Sequence, residues 1–254
     1  MRNYRIIVRY DGTEFLGWQT QPGYRTVQET IQNAIGVITQ ESRVRLNASG
    51  RTDAGVHAVG QVANFYSVSK LSGPVLVKAI NANLPDDVCV RLCDVVPQSF
   101  CANKDALRKM YRYVITDARM HDPFLCRFAD HCRKPLDTDA MIVAAKHLLG
   151  RHDFRSFETK WPNRLSSIRT ITHASVIRIG ETIWVDVEAT GFLYNMVRAI
   201  AGTLVKVGRH EWPPEHVARI IARQDRREAG PNAPPQGLFL MRVTYPKHLE
   251  TAAL

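Results

Sequence analysis

The stretch ASGRTDAGVHAVGQVANF, residues 48–65, sets the frame in which the rest of the chain is read. Gly50 and Gly55 bracket the triplet Arg51-Thr52-Asp53, and a run with apolar positions follows directly. Glycine lets backbone turn tightly or approach another group closely, so the triplet reads as a loop that holds Arg51 and Asp53 at one place. Local chemistry leaves two readings open. The loop is either a turn stapled by an Asx hydrogen bond and an ion pair, or a reactive carboxylate beside its electrostatic partner. Past the loop, residues 61–65 read as a strand, with Val62 a candidate for the core.

Upstream, residues 43–46 read as a short strand leading into the loop. Thr26 with Glu29 matches a capping box, and Val27, Ile31, Ala34, Ile35 and Ile38 fall on one face of the helix that follows. Residues 4–10, rich in Ile, Val and Tyr, form a first strand that Asp11-Gly12 ends as a turn. FLGWQ, residues 15–19, is expected to expose its aromatics in a loop. Downstream, Gly73-Pro74 opens a helix through about Asn81, NLPDD at 83–87 is a turn, and residues 88–95 are a strand. This order suits one largely antiparallel or mixed sheet with helices packed on one face, the α+β arrangement.

Residues 99–109 are polar and irregular and read as the crossing between two halves, residues 1–104 and 105–254. MYRYVIT at 110–116 is a strand with Tyr111, Tyr113 and Ile115 on one face. Residues 119–135 read as a long loop. Asp137 then caps a helix with the stripe Met141, Ile142, Ala145, Leu148 and Leu149, stopped at Gly150. In HDFRSFETK, residues 152–160, and the adjoining 161–164, Phe154 and Phe157 anchor a loop whose basic residues, Arg155 among them, face solvent or ligand. Residues 168–179 and 182–189 form a hairpin across Gly180-Glu181. Residues 192–205 are an amphipathic helix with Arg198 at the edge of its apolar stripe. Pro213-Pro214 starts another helix that ends before Gly230, and the stiff loop GPNAPPQG, 230–237, feeds a last strand at 238–245. The second half thus repeats the element order of the first without a repeat in sequence. Two such sheets would leave a cleft between them.

With 254 residues, 45% of them hydrophobic, the chain can bury a large core in one domain or two. No run approaches the roughly 18 apolar residues of a membrane span, and the start MRNYRIIVRYDG is too polar for a signal peptide. Five cysteines with no CxxC read as free thiols in a reducing cytoplasm, in preference to metal binding by Cys126, His131 and Cys132. Lys and Arg total 34 against 24 acidic residues, a net charge of +10 spread along the chain. Folding has to gather that charge into a surface, and phosphate backbones are its commonest partner.

There is no Walker loop, no Rossmann fingerprint, no HExxH and no zinc-deaminase signature. The chemistry must therefore be of a kind that side chains perform unaided. Singly, the candidates say little. An arginine beside an apolar helix face commonly carries its charge out to solvent, and tyrosines in strands commonly pack.

Taken together, the motifs resemble the tRNA pseudouridine synthase A family. The matching pieces are YDGTEFLGWQ at 10–19, TVQE at 26–29, GRTDAGVHAVGQV at 50–62 and NANLPDD at 81–87. KMYRYVI at 109–115, HDFRSF at 152–157, GFLYNMVRAIAGTL at 191–204 and APPQGLFL at 233–240 continue the series in order. GRTDAGVHA is highly specific, and the set spans nearly the whole chain.

The resemblance implies an enzyme that isomerises uridines at positions thirty-eight to forty of the tRNA anticodon stem-loop. It further implies a homodimer, RNA-recognition-like halves on either side of a basic cleft, and no metal, organic or nucleotide cofactor. Asp53 matches the family's essential aspartate, Tyr111 its active-site tyrosine, and Arg198 the arginine that pairs with the aspartate. Arg51 matches an arginine thought to assist base flipping or phosphate contact. His57, Arg155 and Lys109 lie in the matching motifs as further RNA-contact candidates, with His57 read as structural or RNA-facing in preference to catalytic. Two departures stand out. The family's phenylalanine-histidine-alanine-arginine segment is here Phe100-Cys101-Ala102-Asn103, and its MVRN is MVRA, with Ala199 after the arginine. The rival readings are a non-catalytic RNA-binding module, a related synthase acting on another RNA, and a metal-dependent nucleic-acid hydrolase, for which Asp86-Asp87 is the only nearby acidic pair.

Overall fold

A computed structural model describes residues 1–159 and 166–249. In chain order its elements begin with β1 (Arg2–Tyr10), α1 (Val27–Thr39), β2 (Asn47–Ala48), β3 (His57–Ser67), α2 (Gly73–Asn81) and β4 (Val88–Val96). They continue with β5 (Arg108–Thr116), β6 (Asp130–His131), α3 (Thr138–Lys146), β7 (Gly150–Asp153), β8 (Ile168–Ile179), β9 (Thr182–Ala189), α4 (Met196–Gly208), α5 (His216–Arg223) and β10 (Leu238–Thr244). Two compact units result, one of Met1–Leu107 with Leu240–Leu254 and one of Arg108–Phe239. The fold is α+β, with a mixed sheet and helices on one face. Among the described residues no helix is long and apolar enough to cross a membrane.

In the first unit the sheet order is β4-β1-β3-β10, with β1 antiparallel to both β3 and β4. Alternation puts Tyr4, Ile6, Val8 and Tyr10 on one buried face of β1. α2 packs on β4, and α1 on α2. The other face is covered by the crossing segment and by residues that follow β10. Phe100 and Ala102 of the crossing segment and Tyr245 join Val62 and Val96 in a second buried cluster. The final strand returns to this unit from Leu240, where the sequence order had left it with the second half. The strand passes close to β3 at Gly60, where a Cβ would lie 2.4 Å from the Met241 carbonyl oxygen.

Three expectations are corrected here. Residues 43–46 are not a strand, because the Val44 and Leu46 carbonyls accept hydrogen bonds from the Gln32 and Gln28 amides of α1. Only Asn47 and Ala48 pair, opposite Asn64 and Ala63. The capping box is absent. Thr26 is the N-cap, but its buried hydroxyl has no partner among the described residues. The helix-end N–H groups are satisfied instead by backbone, Val27 N to Gly17 O at 3.2 Å and Gln28 N to Trp18 O at 2.9 Å. The aromatics of 15–19 are not exposed: Phe15 is 3% accessible and Trp18 2%.

In the second unit the order is β5-β9-β8-β7, antiparallel throughout, with β6 parallel to β5. α3 packs on α4 and β8. α4 is buried almost all round, Ala199, Gly202, Thr203 and Val207 as well as the apolar stripe. Asp137 caps α3 as expected, accepting from the Asp139 and Ala140 N–H groups. The buried face of α3 is Met141, Ala144 and Ala145, continued past its end by Leu148, while Ile142 and, beyond the helix, Leu149 are exposed. Ile142 lies 100° round the helix from Met141, at the edge of that face. α4 starts at Met196, four residues later than its apolar pattern, because Asn195 is left-handed at φ 60°. α5 stops at Arg223, since Gln224 is left-handed at φ 54°. Residues 152 and 153 belong to β7 in place of a loop, and residues 160–164 lie outside the described residues.

Candidate active site

The Asp53 loop is braced on both sides by the segment that follows β1. The Trp18 N–H donates to the Thr52 carbonyl at 3.0 Å, and the Gly55 N–H donates to the Phe15 carbonyl at 3.3 Å. The Thr52 hydroxyl lies 2.8 Å from that of Tyr10, and the Val56 N–H closes the turn on the Asp53 carbonyl at 3.1 Å. Two glycines make this contact possible. A Cβ on Gly12 would sit 2.0 Å from the Val56 carbonyl oxygen, and one on Gly17 would sit 2.6 Å from that of Thr52. Gly17 is moreover left-handed at φ 81°.

The other flank of the loop hangs from β3. The Ser49 hydroxyl donates to Gln61 Oε1 at 2.7 Å, and Gln61 Nε2 donates to the Gly50 carbonyl at 3.0 Å. Asn103, at the position of the family's arginine, donates from Nδ2 to the Ser49 carbonyl at 2.9 Å. The departure from the family pattern thus ties the crossing segment to the Asp53 loop. The outcome is a half-buried Asp53 that follows a buried Thr52 and an exposed Arg51. Among the described residues the Arg51 guanidinium has no hydrogen-bond or ion-pair partner.

His57 is only 1% accessible. Its Nδ1 accepts from the Gly12 N–H at 3.0 Å and lies 3.2 Å from Asp11 Oδ1. Burial supports the structural reading of His57 over the RNA-facing one: the ring locks the turn after β1 against the start of β3.

In the second unit, β5 presents Lys109, Tyr111 and Tyr113 along one face at alternate positions. Tyr111 is 8% accessible and meets Phe192 edge-on, with ring centroids 5.0 Å apart. Lys109 is half-buried, and desolvation holds its ammonium below the usual lysine range. Tyr113 is fully buried, donates to the Pro234 carbonyl at 2.8 Å, and is pushed far above a normal phenol by burial and by Asp130. Arg198, near the start of α4, donates from Nε to the Ala233 carbonyl at 2.7 Å and from Nη1 to Asn195 Oδ1 at 3.1 Å. Its own carbonyl accepts from the Ala233 N–H at 3.0 Å. Loop 230–237 is thereby clamped to α4; a Cβ on Gly202 would lie 1.9 Å from the Pro231 carbonyl oxygen. Arg155 is exposed and committed to Asp153, with Nη2 to Oδ2 at 2.8 Å.

Sequence reasoning missed Tyr10, Gly12, Gly17 and Trp18 as supports of the loop, and Asn195 and Ala233 as supports of Arg198. The signal lay in the motifs themselves: YDGTEFLGW, NMVR and APPQG carry the glycine, asparagine and proline residues that turns require.

The sequence profile of the tRNA pseudouridine synthase family matches residues 6–117 and 144–246. The tRNA pseudouridine synthase A of Brevibacillus brevis is 43% identical over 245 residues, covering 96% of this chain and 100% of that protein. Those of Thermoanaerobacter sp. and Geotalea daltonii are 42% and 41% identical with the same coverage. Among solved structures, an archaeal box H/ACA sRNP Nop10-Cbf5 complex covers 80% of this chain and 44% of that one at TM-score 0.36 and 12% identity, too slight a likeness to bear on the fold. On the full-length identity and the profile match, the chain belongs to the tRNA pseudouridine synthase A family.

Proposed function

We propose that the chain converts uridine to pseudouridine at positions thirty-eight to forty of the tRNA anticodon stem-loop, with Asp53 as the reacting carboxylate and no cofactor. Family membership supports the reaction. The observation that carries the site is the bracing of Asp53 between the fixed Thr52 carbonyl and the Val56 N–H, beside an exposed, unpartnered Arg51. A loop held at so many backbone points can present a carboxylate to a sugar at a fixed distance, which is where positioning contributes most to rate.

The reaction breaks N1–C1′, turns the uracil and joins C5 to C1′, and the C5 proton ends on nitrogen. No redox equivalent or nucleotide is consumed. Ionised Asp53 serves by attacking C1′, by adding to C6, or by removing the C2′ proton to give a glycal. In this reading Arg198 is the cation paired with Asp53. A guanidinium within a few ångströms keeps a carboxylate charged. Tyr111 stacks on the everted uracil, and its hydroxyl is a candidate for handling the C5 proton. Arg51, Lys109 and Arg155 take backbone phosphates, offsetting the few kcal/mol of unstacking. The enzyme works as a cytoplasmic homodimer.

The test is incubation of wild-type, Asp53→Ala and Asp53→Asn protein with unmodified tRNA, without added metal, followed by site-resolved detection of pseudouridine. Wild type is expected to modify positions thirty-eight to forty, and both variants to bind tRNA and modify nothing. Product from either variant removes Asp53 from the reaction. Sedimentation as a monomer at working concentration overturns the dimer.

A further inference from the structure

Arg198 does not stand alone in the second unit; it ends a chain of side-chain hydrogen bonds. Its Nη1 donates to Asn195 Oδ1 at 3.1 Å. Asn195 Nδ2 donates to Thr159 Oγ1 at 3.0 Å, and Asn232 Nδ2 donates to the same oxygen at 3.2 Å. Asn232 Oδ1 in turn accepts from Arg226 Nη2 at 2.9 Å, while Arg226 Nη1 donates to the Gly230 carbonyl at 2.8 Å.

The polarity of this chain follows from its two ends. A guanidinium can only donate, so each asparagine must turn its oxygen to its arginine and its NH2 group away. Both NH2 groups therefore converge on Thr159, whose oxygen has two lone pairs and accepts from both. Arg198 decides which side of the Asn195 amide is the oxygen, and the Thr159 acceptor is the second contact that holds the amide's plane. A flipped amide would set NH2 against Arg198 Nη1, donor against donor. Local backbone supports the arrangement: Asn195 is left-handed at φ 60°, a conformation asparagine tolerates best among non-glycine residues, and the Thr159 N–H donates to the Tyr194 carbonyl at 3.1 Å.

We infer that Thr159 and Arg226 are positioning residues for Arg198, acting through Asn195 and Asn232 to fix the plane in which its guanidinium lies. The inference rests on the role given to Arg198 above. It adds that residues on three separate segments, at 159, 195 and 226–232, are needed to aim one cation, and that none of these four side chains has to touch RNA.

Thr159→Val keeps shape and removes the acceptor; Thr159→Ser keeps the acceptor. Under single-turnover conditions with tRNA, Thr159→Val is expected to lower the rate about tenfold, leave the tRNA dissociation constant within about twofold and retain the wild-type melting profile, while Thr159→Ser stays within about twofold of wild type. The deciding arm is a mutant cycle. In an Arg198→Lys background, which lacks Nη1, Thr159→Val should add at most about a twofold loss. A full, additive loss there, or an unimpaired Thr159→Val enzyme, overturns the inference. Should Thr159→Val fail to fold, Arg226→Met probes the chain from its far end: a lower rate with unchanged tRNA affinity upholds the proposal, and an unchanged rate defeats it. Arg198→Lys with wild-type activity would instead defeat the role of Arg198 itself, so the two failures are distinguishable.

Discussion

The hydroxyls of Tyr10 and Thr52 lie 2.8 Å apart, and both residues are buried. Thr52 immediately precedes Asp53, so this contact joins the end of β1 to the residue carrying the proposed chemistry. Burial pushes the Tyr10 phenol far above its usual range, with the Thr52 contact only partly opposing it. Tyr10 therefore stays neutral, and its O–H remains available as a donor. Tyr10→Phe is expected to cost about 1 kcal/mol of stability in urea unfolding, the usual net worth of one hydrogen bond. It should also slow single-turnover pseudouridine formation while tRNA binding stays near wild type. A variant that loses stability but keeps the full rate would show that the contact serves folding alone.

Gly17 tests the same loop from its other side. A methyl group there has to adopt φ 81° and meets the Thr52 carbonyl oxygen at 2.6 Å. The left-handed backbone alone costs an alanine about 1–2 kcal/mol, and the clash adds to it. Gly17→Ala is thus expected to destabilise by more than that range and to abolish activity. Gly23 is the control: it has the same φ of 81° with nothing within 4 Å of a Cβ, so Gly23→Ala should show the backbone cost only. Equal losses of stability at the two positions would mean that Gly17 makes no special contact.

How far these relationships were legible in the sequence depends on their range. Alternation in β1, β5 and β9 and the Asp137 cap follow from near neighbours, so composition and spacing were enough to predict them. Thr26 shows where such reasoning stops. Its sequence signature is that of a capping box, but the Val27 and Gln28 N–H groups at the helix start are taken by the Gly17 and Trp18 carbonyls, a partnership that only tertiary structure reveals. The same contact buries Phe15 and Trp18, which a local reading leaves exposed. Of the candidate site, Asp53 and Arg198 could be picked out by motif. Their supports, Tyr10 and Asn103 for one and Thr159 and Asn232 for the other, could not, because each is remote in sequence from what it holds.

Acid stability should carry the mark of Asp117. Its carboxylate takes two hydrogen bonds from Arg178, at 2.9 and 2.8 Å, and one from the Leu136 N–H at 2.9 Å. The Arg178 hydrogen bonds, then that of Leu136, hold its pKa below the usual carboxylate value against the opposing effect of burial. The folded pKa lies below the unfolded one, so the group's contribution is complete above the unfolded value near 3.9 and fades as pH falls through the folded one. Asp117→Asn is expected to lower the urea midpoint at pH 7, with the gap to wild type narrowing between about pH 5 and pH 2. A gap that stays constant across that range would show that Asp117 does not titrate in folding.

The cysteines should react in the order set by burial. Cys126 is exposed, its thiol donating to the Pro123 carbonyl at 3.0 Å. Cys93 is 6% accessible, and burial, with the neighbouring Asp94 charge, raises its thiol to about 12. Cys132 is also buried, and desolvation, followed by Asp130, raises it despite a 3.5 Å contact from Arg209. Since the thiolate is the reactive form, iodoacetamide at pH 8 should label Cys126 well before Cys93 or Cys132, as read by peptide mapping. Early labelling of Cys93 in the native protein would contradict the packing of β4.

Arg51 and Arg155 are both exposed, yet they should differ as RNA contacts. Among the described residues Arg51 has no partner, so engaging a phosphate breaks nothing. Arg155 is held by Asp153 through two side-chain hydrogen bonds, at 3.2 and 2.8 Å, and that carboxylate already neutralises it. Affinity for a polyanion falls with salt in proportion to the phosphates neutralised. Arg51→Ala is therefore expected to weaken tRNA binding and to reduce the slope of log K against log salt by about 1. Arg155→Ala, which also frees a negative charge at Asp153, should weaken binding with a smaller change in slope. Filter binding at several salt concentrations measures both. If Arg51→Ala left the slope unchanged while Arg155→Ala lowered it, the phosphate contact would belong to the β7 turn, and the Asp53 loop would meet RNA without its arginine.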